Sequence, residues 1–420
     1  MSSAEYLSAE QSNDTLRTAK MKRWKKLSLI LIVLILLSQV PFAYRRYRLG
    51  RLNAVIQVLN ADRRISDSNP RFAEYRGVVH VHSFLGGHSS GNFAEIISGA
   101  QANQLQFVIM TEHPEKDFNT AEMTLKGIHG GVLFVNGNEL RATSGDRLLM
   151  IPGLSATADG LSTKEIVATA KPTGSISIIA YPEEFQSWDT DGYTGVEVYN
   201  VYTDARRINP LIALFDTLWS HRSYPDLLFA NFYQRPAQSL KKWDEALTRR
   251  RLTATAGNDA HANVGVSLND YAGHTLLGLR LDPYETSFHL VRLHVLVPKD
   301  KGLDTGSLLQ AIATGHCFIG FDLFTDTSGF SFAAENPGET RIQGDEITLR
   351  KETHLKVSTP VSSRIVLFKD GNVVLDENGF NSKQFSVTER GVYRVEVYLP
   401  QLGNPIGEQP WIISNPIYVR

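Results

Sequence analysis

Three histidines stand close together in the stretch VVHVHSFLGGHSSG: His80 and His82 alternate with valine, and His88 follows a Gly-Gly pair. Neutral imidazole offers a lone pair and is the commonest protein ligand for a metal ion. Further along, other short apolar runs end in residues of the same chemistry: Glu112 and His113 in IMTEHPE, Glu139 in VNGNEL, Asp259 and His261 in GNDAH. A lone histidine at the end of a strand is ordinarily just a hydrogen-bonded residue. Here five of the 12 histidines fall at such positions, with Glu and Asp beside them. Together His80, His82, His88, His113, Glu139, Asp259 and His261 make a nitrogen and oxygen donor set suited to Zn, Mn or Fe. Sulfur plays no part, because Cys317 is the only cysteine; intrachain disulfides and cysteine-rich metal sites are excluded. The other histidines (His129, His221, His274, His289, His294, His316 and His354) lack this context and read as ordinary structural residues.

These donors need elements that bring them together. From about residue 75 the pattern is strand, turn and helix repeated: RGVVHVHS reads as a strand, NFAEIISGAQANQ as a helix, then LQFVIMTEH, GGVLFVNGNEL, GSISIIAYP, TGVEVYN and LTATAGNDAH as further strands. Short apolar runs alternating with helices predict an α/β fold with mainly parallel strands. Strand periodicity of two puts His80 and His82 on one face. The C-terminal ends of parallel strands converge on one rim, where sites are built. From about residue 288 the chain turns into alternating strands with Asp-Gly, Asn-Gly and Pro signals, which predict a small all-β sandwich. Asp370-Gly371, flanked by apolar alternation, is a hairpin signal. Tyr393 in this region reads as a core or corner tyrosine, and Trp411 as core packing rather than a carbohydrate platform.

Near the start, residues 27–43 carry no charge and are dominated by Leu and Ile. That length is at the lower edge of the roughly 17–25 residues needed to cross hydrocarbon as a helix. Lys25 and Lys26 before it and Tyr44, Arg45 and Arg46 after it suit the two headgroup layers. A buried core helix would need a polar face, and a cleaved signal would need small residues where Pro41 and Phe42 stand. A retained transmembrane anchor over 27–44 is the expectation. A polar, disordered tail over 1–26 precedes it and an amphipathic helical stalk over 45–70 follows, with Leu52, Val55, Ile56 and Leu59 at helical intervals. Six basic residues before the span against four after it predict a cytoplasmic N-terminus and an extracytoplasmic catalytic domain.

In the order of these motifs, the region of about 75–300 resembles the PHP superfamily, named for polymerase and histidinol phosphatase. His80-Val81-His82 matches its opening His-x-His, and His88 its third histidine. Thr111-Glu112-His113 matches Thr-Asp-His with Glu for Asp, Gly137-Asn138-Glu139 matches Gly-x-Glu, and Gly257-Asn258-Asp259-Ala260-His261 matches Gly-x-Asp-x-His. GVEVYN is similar to a late strand of the family, and 300–420 to the C-terminal extension of some membrane-anchored members. The resemblance implies a distorted (β/α)7 barrel over 71–300, a β-sandwich over 301–420, and a phosphoesterase with two or three metal ions on the rim. It implies His80, His82, Glu139 and Asp259 at one metal and His88, His113 and His261 at another. Three positions depart from the family: Val78 replaces an expected Asp, Tyr181 stands in the His-Pro motif, and Arg147 stands at another histidine. With those two histidines gone, two metals are expected rather than three. Arg147, a permanently charged fork, and Tyr181, a hydrogen-bond donor, are then candidates for binding substrate charge.

Paired cations on such a rim activate a water and neutralise phosphoryl charge. The sequence points to no Ser or Cys nucleophile. Glu112 is expected to orient a ligand rather than hold metal, and Glu139 or Asp259 to relay protons. Lys+Arg 43 against Asp+Glu 44 gives no basic excess, so an extended nucleic-acid surface is not expected. A small phosphorylated substrate is, with a protein partner for the β-sandwich. Other readings stay open: a nuclease or nucleotide phosphatase, an amide, carbamate or lactone hydrolase, or a non-catalytic metal-containing binding protein.

Overall fold

The computed structural model describes residues 3–420 except 65–69, 207, 264, 270–274 and 281, with side chains also left undescribed at 3–19 and 264–279. His274 lies outside the described residues. The fold is mixed α/β, with one large sheet and one long apolar N-terminal helix.

That helix, α1, runs from Ser3 to Asp62. The segment expected to be a disordered tail is helical from Ser3, so tail, apolar segment and stalk form one continuous element. Its apolar stretch is exposed over residues 27–38, Leu29, Leu34 and Leu37 included, and half-buried at Gln39, Phe42 and Ala43. The stalk is not free-standing. Leu49, Leu52, Ile56 and Leu59 are buried in the main hydrophobic core. Hydrogen bonds from Arg48 to the Asn404 carbonyl, 2.8 Å, and from Thr325 to the Asn60 side chain, 2.6 Å, fix its far side.

Eight strands position the candidate residues: β1 (Phe72–Val81), β2 (Phe107–Met110), β3 (Val132–Val135), β4 (Asn138–Arg141), β5 (Arg147–Ile151), β6 (Ile176–Ala180), β7 (Gly195–Asn200) and β8 (Thr253–Ala260). β1 lies parallel between β2 and β8, β2 is parallel to β3, and a bridge from Glu112 to Asn138 links the end of β2 to β4. β4, β5 and β6 are antiparallel neighbours, and β6, β7 and β8 are parallel ones, so the pairings return to β1. The segment GGVLFVNGNEL, expected as one strand, is two. It breaks at Gly137, where a Cβ would fall 2.5 Å from the Met110 carbonyl and 2.9 Å from that of Met150. Antiparallel pairing then places Arg147, on β5, opposite Arg141, two residues along β4 from Glu139.

The strands beyond residue 288 continue the same sheet. Arg292–Pro298 pairs antiparallel with β1 and with Cys317–Gly320, which pairs in turn with Pro410–Ser414. One hydrophobic core contains residues of both regions, from Val79 to Val419. The Asp370-Gly371 turn closes the long hairpin of His354–Lys369 and Asn372–Ser386, with φ of 49° and 80° at its two central residues. Positive φ at both positions is the backbone that Asp-Gly favours. Tyr393 donates to the Glu389 carbonyl and Trp411 to that of Thr325, packing roles for both.

Candidate metal centre

Three residues that converge at the strand ends have backbones that L-residues rarely adopt: His80 with φ 66°, Tyr181 with φ 50° and Asp259 with φ 48°. Strain of this kind costs on the order of 1–3 kcal/mol per residue and persists where the surroundings over-determine it. At His80 the register of β1 slips against both β2 and β8. His80 and His82 therefore do not share a face through regular alternation, as the sequence suggests; a bulge re-aims the first ring. Gly257 sits behind it, because a Cβ there would collide with the Glu197 carboxylate. That collision explains the glycine in Gly-Asn-Asp-Ala-His.

The donor atoms meet. His80 Nε2 lies 3.1 Å from Glu139 Oε2 and 3.5 Å from Asp259 Oδ1; His82 Nε2 lies 3.6 Å and 3.4 Å from the same two oxygens. All four side chains are buried. Two ligand atoms each about 2.0–2.1 Å from a tetrahedral ion stand about 3.3–3.4 Å apart. Hydrogen bonding alone leaves this arrangement incomplete: both nitrogens of His82 and Oδ1 of Asp259 are buried without a hydrogen-bond partner. Orphaned lone pairs facing one another are costly unless a cation sits among them. The residues fit a divalent ion.

A second group shares His82, which joins His113 and His261 within metal-ligand reach of one another. The three rings are arranged around His82, with those of His113 and His261 stacked on it at 4.6 Å and 4.3 Å. Glu139 Oε2 is 3.8 Å from His113 Nε2, so this carboxylate faces both groups. His88 is exposed and meets His113 edge-on at 4.9 Å. The grouping thus differs from the one that the resemblance implies: His82 is shared, and His88 stands outside the second trio.

Electrostatics follow from burial. Desolvation pushes the His82 pKa down to about 3, keeping the ring neutral with its lone pair available. Burial would raise Glu139, but the hydrogen bond and charge of His80 outweigh it and hold the carboxyl at about 2. Glu139, Glu197 and Asp259 gather in one buried region. Arg147 is the permanent cation seen beside them: it donates to Glu139 Oε1 at 3.1 Å and lies over the Tyr181 ring at 5.0 Å. The Tyr181 hydroxyl donates to Asp259 Oδ2 at 2.5 Å, so its proton is already committed. This is a contact within the centre, distinct from the donor role toward a substrate oxygen that the sequence suggests.

Glu197 is the residue that the sequence reading missed. Its Oε1 is 2.6 Å from His80 Nδ1, and its other oxygen accepts from Asn200 at 2.9 Å. A carboxylate on Nδ1 holds a proton there, and Nε2, 3.1 Å from Glu139, is the nitrogen that would turn to a metal. The signal was there: a glutamate in the middle of the buried strand GVEVYN needs a partner. Glu112 faces away from the donor set, accepting from Ser83 N (2.9 Å), Ser83 Oγ (2.6 Å) and Thr124 Oγ1 (2.8 Å). It thereby ties the turn after His82 to the C-terminal end of the short helix Thr120–Met123. Gly87-His88-Ser89-Ser90-Gly91 has the letter spacing of a nucleophile elbow, but Ser89 lies in a loop and donates to the His261 carbonyl. A cavity of about 230 Å³ beside the centre is lined by Tyr181, Glu197, Asn200, Asp204, Arg235 and Ser239 among others.

The remaining described histidines have partners elsewhere or none near the centre: His129 with the Lys126 carbonyl, His289 with Asp226, His294 with Glu74 and Asp322, His316 with Asp345, and His354 with Ser386; His221 ends the helix Pro210–Ser220.

No protein-family model matches the chain, and no curated protein matches it. Among solved structures, a two-domain protein from Bacteroides vulgatus containing a predicted PHP-like metal-dependent phosphoesterase is similar over 84% of this chain and 98% of its own, at 13% identity and a TM-score of 0.40. PsfC from Pseudomonas syringae is similar over 57% of this chain and 89% of its own, at 15% identity and a TM-score of 0.36. A lesion-specific endonuclease from Pyrococcus furiosus is similar over 57% of this chain and 56% of its own, at 13% identity and a TM-score of 0.34.

Proposed function

We propose that the chain is a membrane-anchored, metal-dependent phosphoesterase with two divalent metals. In this reading the closed run of strand pairings is a distorted (β/α)7 barrel of the PHP type, followed by a small β-sandwich and preceded by one transmembrane helix. The observation that carries it is the set of buried, unpartnered lone pairs on His82 and Asp259, spaced with His80 and Glu139 as ligands of one ion are spaced.

His80, His82, Glu139 and Asp259 would hold one ion; His113 and His261, with His82 beside them and His88 at the mouth, would serve the second. When bound, such ions supply an activated water and stabilise charge on the phosphoryl group. Glu197 holds His80 in its metal-binding tautomer. Tyr181 and Asn200 hold Asp259 through its second oxygen, with donor distances of 2.5 Å and 3.3 Å, leaving the first oxygen for the ion. Arg147 offsets the charge of Glu139 with one N–H and keeps further donors for a phosphate. It stands where the family places a third-metal histidine, so a fixed cation replaces a bound one.

A phosphoester panel tests this with full-length protein in detergent, supplied in turn with Zn, Mn and Fe. Hydrolysis of an aryl phosphate or a small phosphoester, removed by chelation and restored by metal, is expected. Arg147→Ala is expected to keep its metal and raise KM. Metal retention with no turnover on any ester would instead favour the metal-containing binding protein.

A further inference from the structure

The helix Pro210–Ser220 is amphipathic the wrong way round. It buries Asp216, Thr217 and Ser220. Its apolar residues point outward: Leu211 is 67% exposed and Leu218 68%, with Ile212, Leu214 and Trp219 exposed beside them. A folded chain in water buries the opposite set, so a stripe of this kind marks a covered surface.

Its position identifies the cover. The helix is tied to α1 just where the apolar stretch gives way to arginines. Trp219 donates to the Gln39 side chain at 3.0 Å, and the rings of Phe42 and Phe215 meet at 5.0 Å. Arg45 pairs with Asp216 at 2.6 Å, and Arg46 donates to the Trp219 carbonyl at 2.6 Å and to Ser223 at 3.0 Å. Residues 39–46 close the uncharged stretch. If that stretch crosses a bilayer they lie at headgroup level, and the attached helix lies there too. Tryptophan favours that layer, and exposed Arg206 and Arg222 flank the helix on either side.

We propose that Pro210–Ser220 is an interfacial helix that docks the catalytic domain on the bilayer surface, with Leu211, Leu214, Leu218 and Trp219 entering the headgroup–acyl boundary to about 5–10 Å. The inference rests on the anchor reading of α1. It also bears on the metal centre, because the short helix Val201–Ala205 leads from β7 toward this element and its Tyr202 ring lies 6.3 Å from that of His261.

The test uses the full-length chain in phosphatidylcholine–phosphatidylglycerol vesicles, spin-labelled at single introduced cysteines in place of Leu34, Leu214, Leu218 or Asp62. The native Cys317 is buried. Collision of each label with oxygen and with a water-soluble nickel chelate is measured. Labels at Leu34, Leu214 and Leu218 are expected to favour oxygen severalfold, with Leu214 and Leu218 shallower than Leu34, while Asp62, exposed at the far end of α1, favours nickel. Leu34 in lipid with Leu214 and Leu218 in water would overturn the docking and leave the anchor standing. All three in water would overturn the anchor reading and the docking with it. A dipolar distance below about 3 nm between Leu214 labels of two chains, unchanged on lipid dilution, would assign the stripe to a second copy of the chain instead.

Discussion

The cluster around His82 and the cluster around His294 are built from the same residue types, histidine and carboxylate with an arginine nearby, and both are buried. Around His294 every charge has a partner. Its Nδ1 contacts Glu74 at 2.7 Å and its Nε2 contacts Asp322 at 3.3 Å and Thr327 at 2.9 Å. Arg292 donates to Asp322, Asn103 and the Phe288 carbonyl. Burial would lower the pKa of His294, but Asp322 and Glu74 outweigh it and raise the ring to about 9. Around His82 the geometry is as tight but the satisfaction is incomplete: neither ring nitrogen has a hydrogen-bond partner, nor has Asp259 Oδ1, and the ring is held neutral. The contrast separates a structural ion network from a ligand set. One holds its own protons and charges; the other presents buried nitrogen and oxygen atoms without hydrogen-bond partners, as a ligand set for a cation would.

The sharpest way to break the comparison is to remove one partner from the satisfied cluster. Asp322→Ala takes the carboxylate from Arg292 and one of the two from His294, which keeps Glu74, and breaking a buried pair in this way costs about 3–5 kcal/mol. Chemical denaturation should show that loss with metal content unchanged. If Asp322→Ala instead lost metal, the two clusters would not be separate systems.

The same cluster predicts a pH dependence. His294 has a folded-state pKa near 9, above the ordinary value of 6.5. Its contribution is fully present below pH 6.5, falls as pH rises through the window, and is gone above about pH 9. The gap corresponds to stability on the order of 3 kcal/mol. Unfolding of wild type and a His294→Gln variant at pH 6 and pH 9.5 checks it: the difference between them should shrink at the higher pH.

At the metal centre a smaller change sharpens the contrast. Glu197→Gln removes the charge on His80 Nδ1 while keeping the shape, and loss of such a partner lowers metal affinity about 10–100-fold. Isothermal titration with Zn or Mn would measure it; an unchanged affinity would demote Glu197 to a packing role.

Much of this centre was legible in the sequence because its donors sit at the ends of apolar runs. His80, His82, His113, Glu139, Asp259 and His261 are brought together, with His88 at their exposed edge. The bulge at His80 was not legible, since the sequence shows alternation and the register slip depends on β2 and β8, far along the chain. Glu197 was passed over because a strand of valines reads as core, although the charge within it was the clue. Arg147 was legible as a replacement but its partner was not: the hairpin that brings it to Glu139 is antiparallel where parallel strands were expected. The continuity of the sheet beyond residue 288 depends on pairing between β1 and Arg292–Pro298, separated by some two hundred positions, which no local pattern reports. The outward apolar stripe of Pro210–Ser220 reads as an ordinary amphipathic helix until the buried side is known.

Metal content tests the central claim most directly. Full-length protein and its Asp259→Ala and Asp322→Ala variants, each dialysed against trace Zn and Mn, would be assayed by inductively coupled plasma mass spectrometry, with folding followed by circular dichroism. Wild type and Asp322→Ala should retain divalent metal in stoichiometric amount, and Asp259→Ala should be folded and depleted. A folded wild-type chain that retains no more metal than Asp259→Ala would contradict the account.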